Sequence, residues 1–130
     1  MFMIKPDAVA RGLAGEIVAL MEREGFTLER MELQRFDREK AEAFYGVHRE
    51  KPFFGSLVEY ITSGPVVATV LSGEGAIARV RELMGATDPA KAAAGTIRRK
   101  YGESIEHNSV HGSDSPESAT HEIGVVFGEL

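Results

Sequence analysis

Ser63-Gly64-Pro65-Val66-Val67-Ala68-Thr69-Val70-Leu71 reads as a turn that delivers a central strand. Pro65 and Gly73 bound a nearly continuous run of strand formers, too short for a helix and without the polar alternation of a half-exposed strand, so both its faces should be covered. Just upstream, Phe54, Leu57, Val58 and Ile61 recur at the i, i+3, i+4, i+7 spacing of one helical face. That helix should open at Pro52 and stop at Ser63-Gly64-Pro65. Downstream, Ile77, Val80 and Met84 mark a helix after the strand.

Further out, Phe2 to Lys5 reads as a short strand stopped by Pro6. Leu13, Ile17, Leu20 and Met21 then form a helical face ended by Gly25. Phe26 to Phe36 is rich in strand formers, and Asp37 is placed to cap a short helix carrying Ala41, Phe44 and Tyr45. At the other end, Ser115 as cap, Pro116 at the first helical position and Glu117 in the first turn start a helix with Ala119, Ile123, Val126 and Phe127 on one face. Gly85 to His107 has weak periodicity and reads as a long irregular binding loop. The order β-α-β-α-α-β-α-loop-β-α reduces to a split β-α-β motif. We therefore expect a ferredoxin-like α+β fold: a four-stranded antiparallel sheet with helices packed over one face, in a single domain spanning 1–130.

The chain's 130 residues, 43% of them hydrophobic, suffice to bury one core. A net charge of −5 argues against a general partnership with nucleic acid or anionic membrane, so a phosphate ligand must be held by local cations. The absence of cysteine removes disulfides, thiolate metal sites and a cysteine nucleophile. Phe2-Met3-Ile4 is too short for a secretory core, and no apolar run approaches the ~18 residues of a membrane span. A soluble, cytoplasmic protein is expected.

Chemistry concentrates in Asn108-Ser109-Val110-His111-Gly112-Ser113-Asp114-Ser115. His111 lies among small hydrogen-bonding residues, and Gly112 is read as removing a Cβ so that another molecule can approach. Glu122, eleven positions on in the last helix, could reach the ring nitrogen that faces away from a substrate. A nucleophilic histidine and a plain surface histidine both fit this octapeptide. Phe53, beside the already buried Phe54, should be partly exposed, either to stack on a planar base or to pad a neighbouring loop or subunit. Lys5, Arg81 and Arg98-Arg99-Lys100 supply positive charge from separate segments, with Thr87, Tyr45 and Asn108 as neutral donors. Converged, they would make a phosphate clamp; separate, they would be ordinary solvated charge. The Gly73-Glu74-Gly75 run lacks the ribose-binding acid of a dinucleotide fingerprint. His107 and His111 have metal-ligand spacing only on a helix, which Asn108 and Gly112 oppose, and Ser113 and Asp114 are too near His111 in sequence for a hydrolase triad.

Six ordered blocks resemble the nucleoside diphosphate kinases: Ile4-Lys5-Pro6-Asp7, Arg11-Gly12-Leu13, Lys51-Pro52-Phe53-Phe54, Ser63-Gly64-Pro65-Val66-Val67, Gly95-Thr96-Ile97-Arg98, and Asn108 with His111-Gly112-Ser113-Asp114-Ser115. The resemblance implies transfer of the γ-phosphate from a nucleoside triphosphate to a nucleoside diphosphate, by a ping-pong route through phosphohistidine on His111 and with broad base tolerance. By position, Glu122 assisted by Ser113 looks like the group that orients the ring. Lys5 resembles the residue touching terminal phosphate and ribose, and Tyr45 one near the transferred group. Arg81, Thr87 and Arg98 match phosphate contacts, and Asn108 a ribose contact. Phe53 matches the stacking ring, with Ile105 on the base's other face. Mg²⁺ is expected on the nucleotide's own phosphates rather than in a protein cage, and a homo-oligomer, hexamer or tetramer, is implied. Two departures fall in the 85–107 segment: Arg99-Lys100 where the family commonly has Gly-Asp, and Ala94 in place of a frequent proline. Two other classes remain open, a nucleotide-binding module that is never phosphorylated and a histidine phosphocarrier served by a protein partner.

Overall fold

A computed structural model describes residues 1–105 and 107–128; Glu106, Glu129 and Leu130 lie outside the described residues. Strands β1 (Phe2–Ile4), β2 (Thr27–Gln34), β3 (Val66–Ser72) and β4 (Val110–Gly112) form one sheet in the order β2-β3-β1-β4. Every pairing is antiparallel. This is the expected ferredoxin-like arrangement: β2 follows β1 in the chain but pairs with β3, which lies between them. The short β1 is central because all three of its residues are buried, Phe2 and Ile4 toward one face and Met3 toward the other.

Helices α1 (Pro6–Ala10), α2 (Ala14–Arg23), α3 (Arg38–Phe44), α4 (Phe54–Ile61), α5 (Ala76–Met84), α6 (Ile97–Tyr101) and α7 (Pro116–Phe127) complete the fold. They cover both faces of the sheet, not one. One core joins Phe2, Ile4 and Val67 to Ile17 and Met21 of α2, Val80 and Met84 of α5 and Ile97 of α6. The other joins Met3, Val66 and Ala68 to Phe44 of α3, Val58 and Ile61 of α4 and Val126 of α7. The reading of β3 as covered on both sides therefore holds, since Val66 to Thr69 are all buried, and the one-face layering does not. Among the described residues no helix is long and apolar enough to cross a membrane.

Three local readings change. Pro6 does more than stop β1; it occupies the first turn of α1. The fourth helix begins at Phe54, with Phe53 as its N-cap, rather than at Pro52. The supposed irregular loop contains a 3₁₀ turn, Pro89–Lys91, and the helix α6. Asp88 caps the former through Ala90 N (3.0 Å), and Thr96 caps the latter through Arg99 N (3.3 Å). Five helical residues are too few to show periodicity, yet Ile97 and Tyr101, one turn apart, both enter the core.

Gly85 ends α5 with φ 87°, and a Cβ there would lie 2.5 Å from Thr96 Oγ1 and 2.7 Å from Thr96 Cβ. Gly85→Ala should therefore cost about 1–3 kcal/mol through strain and overlap. Urea unfolding should show a lower midpoint at unchanged slope; an unmoved midpoint would show that the α5–α6 connection yields freely.

Candidate active site

Strand alternation along β4 gives three successive residues three different surroundings. Val110 enters the α2/α5 core, His111 pairs with Met3 and turns to the face carrying α3, α4 and α7, and Gly112 turns back toward α5. A Cβ on Gly112 would sit 2.8 Å from Met84 Sδ and 3.0 Å from Val80 Cγ1. The glycine thus serves the close approach of α5 beneath the strand, not the approach of another molecule as its sequence neighbourhood suggests.

On the opposite face the His111 ring packs edge-on to Phe44, centroids 5.0 Å apart at 65°. Its Nε2 lies 2.8 Å from Glu122 Oε1, and the same oxygen accepts from Ser113 Oγ at 2.7 Å. Ser115 caps α7 through Ser118 N (3.0 Å), starting the helix so that Glu122 falls beneath the ring. Burial holds the His111 imidazole below its ordinary range, and the charges of Lys5 and Arg98 add to this, while the bond to Glu122 works the other way. Burial pushes the Glu122 carboxyl up, but the bonds from His111 and Ser113 outweigh it and keep the group ionised. An ionised carboxylate only accepts, so Nε2 carries the proton and donates it, which leaves Nδ1 with the lone pair of a neutral ring.

The cations gather from three segments. Lys5, buried where β1 meets α1, donates from Nζ to Asn108 Oδ1 (2.9 Å), and Asn108 Nδ2 donates to Thr87 O (3.0 Å). Arg98 of α6 is anchored through NH1 to Gly85 O (3.1 Å) and NH2 to Val110 O (3.0 Å). Arg81 of α5 reaches Gly112 O at 3.3 Å. Burial, with Arg81 nearby, pushes the Arg98 pKa down to about 10, still charged at neutral pH. Asp114 lines the same cleft and its charge meets that of Arg81, but two guanidinium groups held this near are an arrangement that an incoming anion relieves further.

These groups line one cleft of about 630 Å³, within the range of small-molecule sites. Of the residues expected from sequence, Lys5, Tyr45, Phe53, Arg81, Thr87, Arg98, Ile105, Asn108, His111 and Glu122 all line it, and Ser113 lies behind it against Glu122. Phe53 is 46% exposed and Ile105 61% exposed in that lining. Two lining rings escaped the sequence reading. Phe44, read only as core, is a wall for His111, and His48, in the 3₁₀ turn Gly46–His48, lies 5.4 Å from Phe53. No periodic signal marks His48; its position before Lys51-Pro52-Phe53 was the only hint. Arg99 is tied to Ala90 O (3.0 Å) and Lys100 lies over the Tyr101 ring, so the Arg99-Lys100 departure acts outside the cleft lining. His107 stacks on Tyr60 at 4.4 Å and His121 Nε2 donates to Ala43 O (2.9 Å), so the histidines serve separate surroundings rather than one cluster.

A fold of this topology with a cation-lined cleft of nucleotide size is shared with enzymes that handle nucleoside phosphates. The structure superposes on nucleoside diphosphate kinase from Aquifex aeolicus with a TM-score of 0.94 at 49% identity, covering 97% of this chain and 92% of that one. It matches the Halobacterium salinarum nucleoside diphosphate kinase solved in complex with CDP at a TM-score of 0.93 and 46% identity, covering 98% and 86%. The nucleoside diphosphate kinase of Nitratidesulfovibrio vulgaris strain DP4 is 56% identical over 128 residues, 98% of this chain and 92% of that protein. The family model described as nucleoside diphosphate kinase matches residues 1–130, and the chain belongs to that family. It is accordingly a phosphotransferase acting between nucleoside triphosphates and diphosphates.

With His111 and Glu122 both held below their ordinary values, the native state binds fewer protons than the unfolded chain as pH falls past their unfolded values. Stability should then decrease toward acid. NMR titration should put the His111 midpoint below 6.5; a midpoint above that value would mean that the Glu122 bond outweighs burial.

Proposed function

We propose that the chain transfers the γ-phosphate by a ping-pong route in which His111 is the nucleophile. Neutral Nδ1 attacks the γ-phosphorus in line, the N–P bond forms as the bond to the β–γ bridging oxygen breaks, and the nucleoside diphosphate leaves with that oxygen's electron pair. A terminal phosphate oxygen of a second nucleoside diphosphate then attacks the phosphorus and returns the electron pair to Nδ1. No net proton moves. Glu122 accepts from Nε2 throughout and stabilises the positive charge that develops on the ring, while Ser113 fixes the carboxylate. The observation carrying this reading is the 2.8 Å His111–Glu122 bond inside the cleft on which Lys5, Arg81 and Arg98 converge.

In the same reading Arg81, Arg98 and Thr87 take the phosphate oxygens, Tyr45 stands by the transferred group, and Lys5 reaches both phosphate and ribose. Asn108 takes a ribose hydroxyl, and Phe53 and Ile105 enclose the base from opposite sides. Apolar contacts read no base edge, which supports broad base tolerance. Among the described residues no three carboxylates or histidines gather to hold a metal, and the lining's Lys5, Arg81 and Arg98 suit phosphate oxygens instead. Mg²⁺ brought on the nucleotide's phosphates supplies further charge neutralisation there. A cytoplasmic location, where these substrates are pooled, belongs with this function. Incubation with γ-labelled ATP and Mg²⁺ should give label stable to base, labile to acid and transferable to added nucleoside diphosphate. His111→Ala should keep nucleotide binding yet lose exchange; exchange at a comparable rate in that variant would refute the covalent route.

A homo-oligomer, hexamer or tetramer, is part of the same proposal. Strand β2 is one of the sheet's two edges, with Met31 51% and Leu33 69% exposed beside Ala14, Val18 and Ala19 of α2. An open edge with an apolar flank is a pairing surface. Sedimentation of Leu33→Asp should give a smaller species than the parent protein; an unchanged mass would move the contact elsewhere.

A further inference from the structure

Ser109 is fully buried and, among the described residues, is the one non-glycine with positive φ, 76°. Val110 N donates to Asn108 O across it (3.0 Å), closing a three-residue turn of the strained, positive-φ kind. Such a conformation persists only where its surroundings hold it. Lys5 N donates to Ser109 O (2.9 Å), and Ser109 Oγ donates to Asp7 Oδ2 (3.4 Å). The other Asp7 oxygen accepts the Tyr60 hydroxyl, and that hydroxyl accepts from Asp7 N (2.9 Å). Burial raises the Tyr60 pKa and the bond to Asp7 adds to it, so the phenol remains a donor. Tyr60 is itself packed on His107, just before the turn. None of these three side chains lines the cleft, but the backbone they pin carries Lys5 on one side and Asn108 on the other, bonded to each other at 2.9 Å.

We propose that Tyr60, Asp7 and Ser109 are positioning residues, a clamp on the strained turn that sets the Asn108 amide and the Lys5 ammonium in register for the ribose of the nucleotide. The proposal rests on the reading of Asn108 and Lys5 as ribose contacts. Removing the Tyr60 hydroxyl frees Asp7 and loosens the turn, so the Lys5–Asn108 pair loses its fixed aim while the His111–Glu122 pair, on the far side of Val110, stays as it is.

The test uses the full chain as phosphoenzyme, with ADP and 2′,3′-dideoxy-ADP as acceptors. In Tyr60→Phe, kcat/KM for ADP should fall about tenfold, the scale of one charge-assisted hydrogen bond. With the dideoxy acceptor, which lacks the ribose hydroxyls but keeps the Lys5 contact to phosphate, the fall should be smaller, about threefold or less, so the preference for the hydroxyl-bearing acceptor shrinks. Ser109→Ala, which keeps the backbone but removes the other link to Asp7, should shrink it in the same direction and serves if Tyr60→Phe does not fold. Equal losses on both acceptors, or an unchanged preference in a folded variant, would overturn the clamp. A parent enzyme that labels normally but treats the two acceptors alike would remove the ribose assignment and the clamp with it; a parent enzyme that does not label at all would instead strike the phosphohistidine reading.

Discussion

One carboxylate oxygen, Glu122 Oε1, accepts hydrogen bonds from both His111 Nε2 and Ser113 Oγ. A buried carboxylate is costly unless its charge is met by donors, and these two donors meet it from positions two apart, one in β4 and one just after it. In satisfying Glu122 they give up their own freedom: the imidazole has one orientation and one tautomer. Much of the architecture serves that arrangement. Alpha7 must start at Ser115 for Glu122 to fall beneath the ring, β4 must hold its register with β1 for the ring to face α3 and α7, and Gly112 must lack a side chain for α5 to close against the strand's other side.

The electrostatics of the cleft follow from the same constraint. With the acidic partner turned behind the ring and already occupied, the space before it is dominated by Lys5, Arg81 and Arg98, anchored largely through main-chain carbonyls and the Asn108 amide. Preorganised cations of this kind need no rearrangement when phosphate arrives, and Lys5 and Arg98 add to burial, the larger cause, in keeping the imidazole neutral. Opposed demands are thereby met together: Glu122 holds the ring, and ahead of it Lys5, Arg81 and Arg98 outnumber the one further carboxylate of the lining, Asp114.

Much of this was legible in the chain because it is written locally. Ser115-Pro116-Glu117 announces α7, Asp37 announces α3 with its cap at 2.7 Å, and the unbroken Val66–Leu71 run marks a strand buried on both faces. The pairing of His111 with Glu122 is suggested by Glu122 lying eleven positions on in the helix that Ser115 starts, and by the family resemblance. What escaped notice is non-local or too short to repeat. Five residues of α6 carry no period; the two-sided layering depends on how α3, α4 and α7 share a face; and the role of Gly112 depends on Met84 and Val80, far away in sequence. The Lys5–Asn108 bond joins residues 103 apart, and no spacing rule reaches that far. The positive φ of Ser109 was equally hidden, since serine gives no hint of it.

The central claim is that the ring nitrogen held by Glu122 is unavailable, so that phosphate resides on the other one. Nitrogen-15 and phosphorus-31 NMR of the protein phosphorylated by ATP, with its histidines ¹⁵N-labelled, distinguishes the two isomers through the coupling of phosphorus to each ring nitrogen. The account predicts phosphate on Nδ1 of His111 with Nε2 protonated; phosphate on Nε2, or on another residue, would contradict it.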